Sequence, residues 1–523
     1  MKAIFKKTGT ILLGTIAALS FAACSESFLD EINKDVNHPT DVDSKFIIPD
    51  IVLRTAQNVV GGDVNTYSGI FLEHWAGTHG QLWQADSRDG YERVASTYND
   101  PWVFLYKIIT DAKTVIGKTE EGAVESENTM ARAVAEIMLA YNAAVATDLF
   151  GDTPYKEAGD YINYATPKLD KQEDIYKDVM RLLDDAIVLL GDTSGWASNT
   201  LNSYDLMYNG NAEKWQKFAY GLKARYTMRL IFRSTDKAAD YQKILDYIDK
   251  SFAGADEQAS INVYDGKNQN PLFDLEWSRD AISSSRSLYN KLMARSDPRV
   301  NRAYLHSYEW YYMDSATVRD FLPKNGEQPS ESQYRFAYDY SMLAEIASVH
   351  LLSYHELLFL KAEALASLNQ VDSAKVILED AIVASMANFE NNLAAALNSP
   401  TLLDEGGIEG PADETIPFEE IDSCFNNFVV PLFDADPIKE IMLQKYFAFW
   451  GANGESTECY NDVRRMMAMG KDIYDFANPK ADRFPLRAPY GADDASANPN
   501  VRDAYGNGFY IYSEPVWWAG GTR

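Results

Sequence analysis

The sequence predicts a mostly α-helical protein in which tetratricopeptide-like helix pairs form a scaffold, with long loop-rich insertions and a few short strands. Helical periodicity, a repeated spacing of small and large residues, and the composition of the intervening segments lead to this fold class. Hydrophobic residues make up 46% of the 523 residues, which is enough to build a large core and is untypical of a disordered chain.

Apolar and small residues recur every three or four positions in several segments. Residues 127–149 and 174–190 each place such residues on one broad stripe, as an amphipathic helix does. Residues 211–232 and 241–252 predict another pair of helices. Four helices are therefore expected in the first half of the chain.

The clearest helix pair is predicted within residues 350–390. Its apolar positions have the small-and-large spacing of a tetratricopeptide repeat. They are Leu358, Ala362, Leu365, Ala374, Leu378 and Ala381. The alanines would let the two helices approach closely, and the leucines would fill the space between them. A further pair is predicted within residues 438–469.

The segments between the predicted helices are long and rich in Gly, Pro, Asn and aromatic residues. Such segments usually carry function or small sheets. They are residues 61–106, 191–210, 262–340, 396–436 and 471–523.

The first residues resemble a bacterial lipoprotein signal. A basic start precedes an apolar run of residues 11–23, which is followed by Cys24. The run is too short to span a bilayer as a mature anchor. We therefore predict a signal peptide over 1–23, a lipidated tether over 24–50 beginning at Cys24, and one domain over 51–523. An ordinary secretory signal cleaved after an alanine is the alternative.

The charge balance argues against a nucleic-acid partner. The chain carries 77 acidic and 48 basic residues, a formal charge of −29, and has no basic cluster after its first seven residues. Polyanions would be repelled by such a surface. No later segment is apolar enough to span a membrane, so the lipid is the only membrane anchor we expect.

Catalytic and metal-binding motifs are missing from the sequence. It contains no P-loop, no G-x-S-x-G elbow and no H-E-x-x-H. The pairs His74/His79 and His350/His355 have a five-residue spacing, which places two imidazoles poorly on one helix face. We expect no catalytic residue, no bound metal at these histidines and no cofactor. A structural calcium ion among the acidic loops is left open.

Cys424 and Cys459 do not make a disulfide framework. In an oxidising compartment they could pair with each other. A separate buried thiol at each position is the alternative.

Aromatic residues concentrate in the insertions, near Asp, Asn, Arg and Gln. Flat rings beside such groups suit a sugar, which offers C–H faces for stacking and hydroxyls at its rim. The candidate ligand-binding residues are Trp75, Trp83, Tyr91, Trp277, Arg279 and Trp310. For any one ring, the alternative role is to pack an insertion onto the helices.

Five separated segments resemble the SusD/RagB-like family of nutrient-binding lipoproteins. Residues 147–155 read TDLFGDTPY, 297–299 read DPR and 354–364 read YHELLFLKAEA. Residues 438–465 contain I-x-x-I-x-x-Q-K-Y followed by D-V-R-R, and 483–490 read RFPLRAPY. Together they are similar to the family's motifs in order over nearly the whole chain.

This resemblance implies a lipid-anchored protein on the outer membrane that faces the cell exterior. Such a protein captures a nutrient and delivers it, as a lid, to a TonB-dependent outer-membrane transporter (SusC-like). An oligosaccharide is the expected ligand and a peptide is the alternative. Two other classes remain open: a surface glycoside hydrolase that uses a carboxylate pair, and a purely structural assembly lipoprotein.

Overall fold

The computed structural model describes residues 42–90, 98–192, 201–329 and 335–523, and helices dominate these residues. The predicted signal peptide and Cys24 lie outside the described residues. The helices are α1 (Ser44–Arg54), α2 (Asp63–Phe71), α3 (Gly80–Ser87), α4 (Asn99–Thr119), α5 (Thr129–Phe150), α6 (Gln172–Gly191), α7 (Ala212–Arg229), α8 (Lys237–Ile248), α9 (Pro271–Arg279), α10 (Arg286–Met293), α11 (Tyr354–Ser367), α12 (Val371–Leu397), α13 (Pro400–Asp404), α14 (Phe418–Cys424), α15 (Val430–Ala435), α16 (Pro437–Ala448), α17 (Ser456–Ala468), α18 (Ala492–Ala497) and α19 (Pro499–Tyr505).

The longer helices pack on one another in chain order and form the scaffold. Helix α4 packs on α5, α5 on α6, α6 on α7, α7 on α8, α8 on α11, and α11 pairs with α12. The predicted fold class is confirmed. The helix pair predicted within residues 438–469 is also present, as α16 and α17. Helix α16 packs on α11 and α12, and α17 packs mainly on α2.

The α11–α12 pair shows why the alanine spacing predicted it. Ala362, Ala374 and Ala381 are fully buried, and Leu378 lies between the helices with no exposed surface. A larger residue at any of the three alanine positions would force the helices apart, because protein interiors have little free space.

Helix α5 is the most deeply buried part of the scaffold. Among the described helices it is the one long and apolar enough to cross a membrane, and its apolar window is entirely enclosed by the rest of the protein. A core helix of a soluble fold has the same composition, because it is surrounded by protein on all sides.

Short antiparallel sheets connect the insertions. The strands are β1 (Trp75–Gly77), β2 (Thr153–Pro154), β3 (Leu169–Asp170), β4 (Ala259–Ile261), β5 (Ile282–Ser284), β6 (Tyr304–His306), β7 (Tyr312–Met313), β8 (Ala337–Asp339) and β9 (Val349–Leu352). They pair as β1–β5, β2–β3, β4–β9 and β7–β6–β8. In the first pair Trp75 lies opposite Ser284, so two insertions distant in sequence are joined.

The insertion at residues 61–106 differs from the prediction, because it contains α2, α3 and the start of α4. Every residue from Val64 to Phe71 in α2 is buried. A helix buried on all sides has no alternation of polar and apolar faces, so periodicity gives no signal for it.

Helix α1 begins inside the range that the sequence assigns to the tether. Ile48 and Ile51 are fully buried, and the backbone N–H of Ser44 donates to Glu125 at 3.1 Å. Residues 44–50 therefore belong to the packed part of the protein.

Candidate ligand-binding site

Two tryptophans form an aromatic platform on the surface. Trp277 lies in the last turn of α9 and is 42% exposed. Its ring stacks on buried Phe273, one helical turn earlier, with centroids 5.7 Å apart and planes inclined by 10°. The ring of Trp310 lies 6.0 Å from that of Trp277 at an angle of 36°. We call Trp277 and Trp310 the platform.

Trp310 is held in the turn between β6 and β7. Its backbone has a positive φ of 52°, its N–H donates to the carbonyl of His306 at 3.0 Å, and its indole Nε1 donates to that of Ser307 at 3.0 Å. The ring of His306 stacks on Tyr311, and its Nδ1 accepts from the backbone N–H of Glu309 at 3.1 Å. These contacts fix the orientation of the Trp310 ring before any ligand arrives.

His306 fixes the turn in its neutral form. Burial lowers the pKa of His306, although Glu309 nearby opposes this change. A neutral imidazole leaves Nδ1 free to accept the backbone N–H groups.

Arg279 lines a polar cleft of about 590 Å³ beside the same helix. Leu275, one turn earlier on α9, lines this cleft with it. The other polar residues of the lining are Asp63, Tyr67, His79, Gln81, Asn99 and Asp100. Burial and the charge of Asp100 raise the pKa of Asp63, while Arg279 opposes them. Amide, imidazole and guanidinium groups here can bind hydroxyls.

The platform and the cleft lie on different sides of α9. Residues two apart on an α-helix are about 200° apart around its axis, so Trp277 and Arg279 point in nearly opposite directions.

The C-terminal end of α9 is anchored by buried polar groups. Glu276 is 2% exposed and accepts from the backbone N–H groups of Ala281 and Ile282 at 3.3 and 3.2 Å. Burial raises the pKa of Glu276 to about 8, although the hydrogen bonds from these amides oppose this change. The hydroxyl of Tyr338 donates to Asp280, which ends the helix. The position of Trp277 is thereby fixed.

The other predicted ligand residues are not part of this platform. Trp75 is fully buried, and its Nε1 donates to Asp339 at 3.1 Å, so its ring packs in the core and offers no face to a ligand. Trp83 is half-buried on α3 and does not line the cleft, although its neighbour Gln81 does. Tyr91 lies outside the described residues.

Three of the four histidines in the pairs named in the sequence make contacts within the folded protein, and the fourth, His79, lines the polar cleft. His74 is fully buried, hydrogen-bonded to Ser456 and to the carbonyl of Tyr446, and burial lowers its pKa to about 3. His355 contacts Glu455 at 3.0 Å, and His350 contacts Ser260 at 2.7 Å. Within the ranges that the structure describes, no group of three or more His, Cys, Asp or Glu could hold a metal ion.

The two cysteines are separate buried thiols. Burial raises the pKa of Cys424 to about 12 and that of Cys459 well above its ordinary value. Neither has the thiolate character that a nucleophile or redox centre requires.

Sequence reasoning missed most of the polar cleft. Asp63, Tyr67, Asn99 and Asp100 come from α2 and the start of α4, and helix packing brings them to Arg279. Tyr308, 68% exposed in the turn before Trp310, was also missed. The one available signal was its place beside Trp310-Tyr311-Tyr312 in the sequence.

The fold is mostly helical, and the comparisons with known proteins specify the class of this protein. The chain belongs to the SusD-like family, whose profile matches residues 36–465 and is described as starch-binding and associating with the outer membrane. The family resemblance drawn from the sequence motifs is confirmed.

Solved structures agree with this assignment. A SusD/RagB family protein from Bacteroides thetaiotaomicron is 41% identical over 92% of this chain and 100% of its own, with a TM-score of 0.87. A chitin-binding SusD homologue from Flavobacterium johnsoniae is 18% identical over 91% of this chain and 99% of its own, with a TM-score of 0.61, and shares the fold. No curated protein matches the sequence closely enough to be compared.

Proposed function

We propose that this protein captures an oligosaccharide at the cell surface by stacking it on the Trp277–Trp310 platform. The single observation that carries the proposal is the platform itself: two adjacent indole rings, one of them 42% exposed, are fixed in place by contacts within the protein. Preformed rings bind a sugar face without the entropic cost of ordering them. The family's description as starch-binding supports this ligand class.

The rest of the uptake mechanism follows from the family assignment and is proposed with it. The protein is anchored through a lipid on Cys24 and acts as a lid that passes its ligand to a TonB-dependent transporter. No bond is broken in this process, so the protein is not an enzyme. The family's description as associating with the outer membrane supports this location.

Calorimetric titration of the purified protein tests the ligand class. The panel contains malto-oligosaccharides, chito-oligosaccharides and pooled short peptides. A curved α-glucan, a flat amino-sugar chain and a peptide would each make different contacts with the platform. We expect saccharide heat without peptide heat. Heat from peptides alone would show that the ligand is a peptide and not a saccharide. If the saccharide is instead converted to shorter products during incubation, the protein is a hydrolase.

Substitution of the platform rings tests the location. Trp277→Ala and Trp310→Ala should each weaken saccharide binding about tenfold or more, or roughly 1.4 kcal/mol, because stacking residues dominate such sites. Tyr204→Ala is the matched control, since Tyr204 is 39% exposed and packs against a neighbouring ring, that of Phe46. Normal binding by both tryptophan variants would remove the platform from the site.

The Arg279→Ala variant tests whether a ligand bound on the platform also contacts the cleft. Because Arg279 lies on another side of α9, its loss should weaken long oligosaccharides more than disaccharides. Equal weakening of both would place the whole site in the cleft.

The anchor is tested separately by Cys24→Ala. Without the acyl chains the protein should leave the membrane fraction. Unchanged partitioning of the variant would contradict lipidation at Cys24. In the producing bacterium, the wild-type protein should co-purify from the outer membrane with a TonB-dependent transporter.

A further inference from the structure

A second cleft lies away from the platform, between the C-terminal end of α17 and the segment that follows it. Its volume is about 610 Å³. Its lining includes the apolar and aromatic residues Val463, Met467, Tyr474, Phe476 and Phe484, and the charged residues Arg88, Lys471, Asp472 and Asp475. None of Trp277, Trp310 and Arg279 contributes to it, so the proposed saccharide site does not account for this cleft. We call it the Arg88 cleft.

Aromatic rings form one wall of the Arg88 cleft. Tyr474 and Phe476 have ring centroids 5.8 Å apart with planes inclined by 9°. Phe476 and Phe484 have centroids 5.6 Å apart, also inclined by 9°. The three rings are nearly parallel, and Val463 and Met467 add aliphatic surface. Such a lining favours an apolar or aromatic ligand body.

Arg88 places a positive charge beside the aromatic wall of the cleft. It is 2% exposed, and its guanidinium lies over the ring of Phe484, 5.3 Å from the centroid. Its Nη1 donates to the carbonyl of Lys480 at 2.9 Å, but its buried Nη2 has no hydrogen-bond partner. A buried donor without a protein partner is available to an acceptor from outside the protein chain.

The neighbouring carboxylates do not supply an acceptor for Nη2 of Arg88. Glu73 accepts from the backbone N–H groups of Ala477 and Asn478 at 2.8 and 2.7 Å. Asp86 accepts from Asn325 and from the backbone N–H of Gly326, both at 2.8 Å. These two carboxylates and that of Asp482 act on Arg88 only through space.

The backbone of Arg88 also has a conformation that residues with a side chain rarely adopt. Arg88 ends α3 in the left-handed region, with φ of 53°. Glycine or asparagine is usual at such a position, because a side chain is strained there. The position nevertheless carries an arginine whose guanidinium lies in the cleft wall.

We infer that the Arg88 cleft binds a carboxylate carried on an apolar or aromatic body. The carboxylate accepts from Nη2 of Arg88, and the body packs on the rings of Tyr474, Phe476 and Phe484. A guanidinium is suited to this role because it remains charged when buried and donates in a fixed direction. A small inorganic anion would leave the ring wall unused.

Titration with 3-phenylpropionate tests this inference on the purified protein. We expect one site with a dissociation constant of about 1 mM or tighter, as a ligand of this size allows. The uncharged 3-phenylpropionamide tests the charge, and acetate tests the apolar body. Each should bind about tenfold more weakly or worse. Equal binding of the acid and the amide, or no binding of the acid at about 20 mM, would overturn the inference.

A blocking variant tests the location without touching Arg88. Met467 lines the cleft and is 46% exposed, so Met467→Trp should fill the cleft and abolish 3-phenylpropionate binding. Met293→Trp is the matched control, because Met293 is 42% exposed and lies on α10 outside the cleft. Arg88→Gln should also lose the acid. Unchanged affinity in Met467→Trp would overturn the inference, even if Arg88→Gln fails to fold.

Two further measurements separate this site from others. A carboxylate on an aromatic body occurs both in free aryl acids and at the C-terminus of a peptide. Tighter binding of Ala-Ala-Phe than of 3-phenylpropionate would identify the ligand as a peptide C-terminus. Weaker binding of Ala-Ala-Phe would identify it as a free acid. Saccharide titration of Met467→Trp should match wild type, because the platform lies elsewhere. The two proposals can therefore fail independently.

Discussion

Glu276 is the residue whose protonation most directly affects the proposed saccharide site, because it lies next to Trp277 at the end of α9. Its Oε1 atom is buried without a hydrogen-bond partner, so ionisation would place a poorly compensated charge there. Burial accordingly raises its pKa to about 8 from the ordinary value of 4.5. The folded protein therefore holds a proton that the unfolded chain releases near pH 4.5.

Replacement of Glu276 by Gln should remove this pH dependence. A carboxyl with a raised pKa in the folded state stabilises the fold fully below pH 4.5, and that contribution is lost as the pH rises to about 8. Relative to wild type, Glu276→Gln should therefore gain stability between these pH values, by at most about 1.4 kcal/mol per pH unit. Urea unfolding at several pH values measures the difference, and a constant difference across the range would contradict the assignment.

At the scale of elements, α9 depends on Asn270 at its start. The Oδ1 atom of Asn270 accepts from the N–H of Leu272 at 2.9 Å and so caps the helix. Its Nδ2 donates to the carbonyls of Ala347 and Ala452 at 2.9 and 3.1 Å. One fully buried side chain thus connects the helix that carries the platform to two segments of the scaffold.

Asn270→Ala should destabilise the protein and weaken saccharide binding together. Loss of the cap costs about 1 kcal/mol, and two buried carbonyls without donors cost about 1 kcal/mol or more each. Urea unfolding and saccharide titration measure the two effects.

The matched control for Asn270→Ala is Asn498→Ala. Asn498 is 2% exposed, caps α19 and donates to the carbonyl of Pro167 at 2.8 Å. The Asn498→Ala variant should lose stability and bind saccharide with unchanged affinity. Normal affinity in Asn270→Ala would mean that the position of α9 does not control the platform.

The elements that could be predicted from the sequence either have one buried face or form a long, alanine-rich helix. The prediction at 127–149 corresponds to α5 (Thr129–Phe150), and that at 174–190 to α6 (Gln172–Gly191). Helix α6 retains a periodic stripe because only one of its faces is buried. Helix α5 is buried on nearly all sides, and its length of 22 residues and its many alanines made it predictable. Helix α2 escaped prediction because it is buried from Val64 onward and has only 9 residues.

The candidate site could be predicted only in part, because its geometry depends on distant pairing. Local composition correctly indicated aromatic-rich insertions, but it could not separate Trp75 from Trp277. Trp75 is buried because β1 pairs with β5, more than 200 residues away, and because Asp339 accepts from its indole. Trp277 and Trp310 meet because α9 and the β6–β7 turn are neighbours in space. Neither fact leaves a signal in local spacing.

At the scale of the whole molecule, buried ion pairs connect helices that are far apart in the sequence. Arg225 on α7 pairs with Glu356 on α11 at 2.6 Å, and Arg465 on α17 pairs with Glu363 on α11 at 2.5 Å. Lys445 on α16 reaches Asp462 at 2.7 Å. The D-V-R-R segment that indicated the family thus lies in the centre of the scaffold and does not contact the candidate site.

The charges of this network compensate one another locally. Burial alone would raise the pKa of Asp462, but Lys445 and Arg465 hold it well below its usual value. Arg465 has no exposed surface and donates to both oxygens of Glu363, at 2.5 and 2.8 Å, and to Asp462 at 2.8 Å. Removal of one member would therefore leave a buried charge without a partner.

Arg465→Met should accordingly destabilise the protein by about 3–5 kcal/mol, because Glu363 would remain buried and unpaired. The double variant Arg465→Met/Glu363→Met should recover much of that loss, since an apolar pair of similar volume carries no desolvation penalty. Urea unfolding of the two single variants and the double variant completes the cycle. Equal losses in Arg465→Met and the double variant would show that Arg465 stabilises the scaffold mainly through Asp462 and packing, and that its pair with Glu363 contributes little.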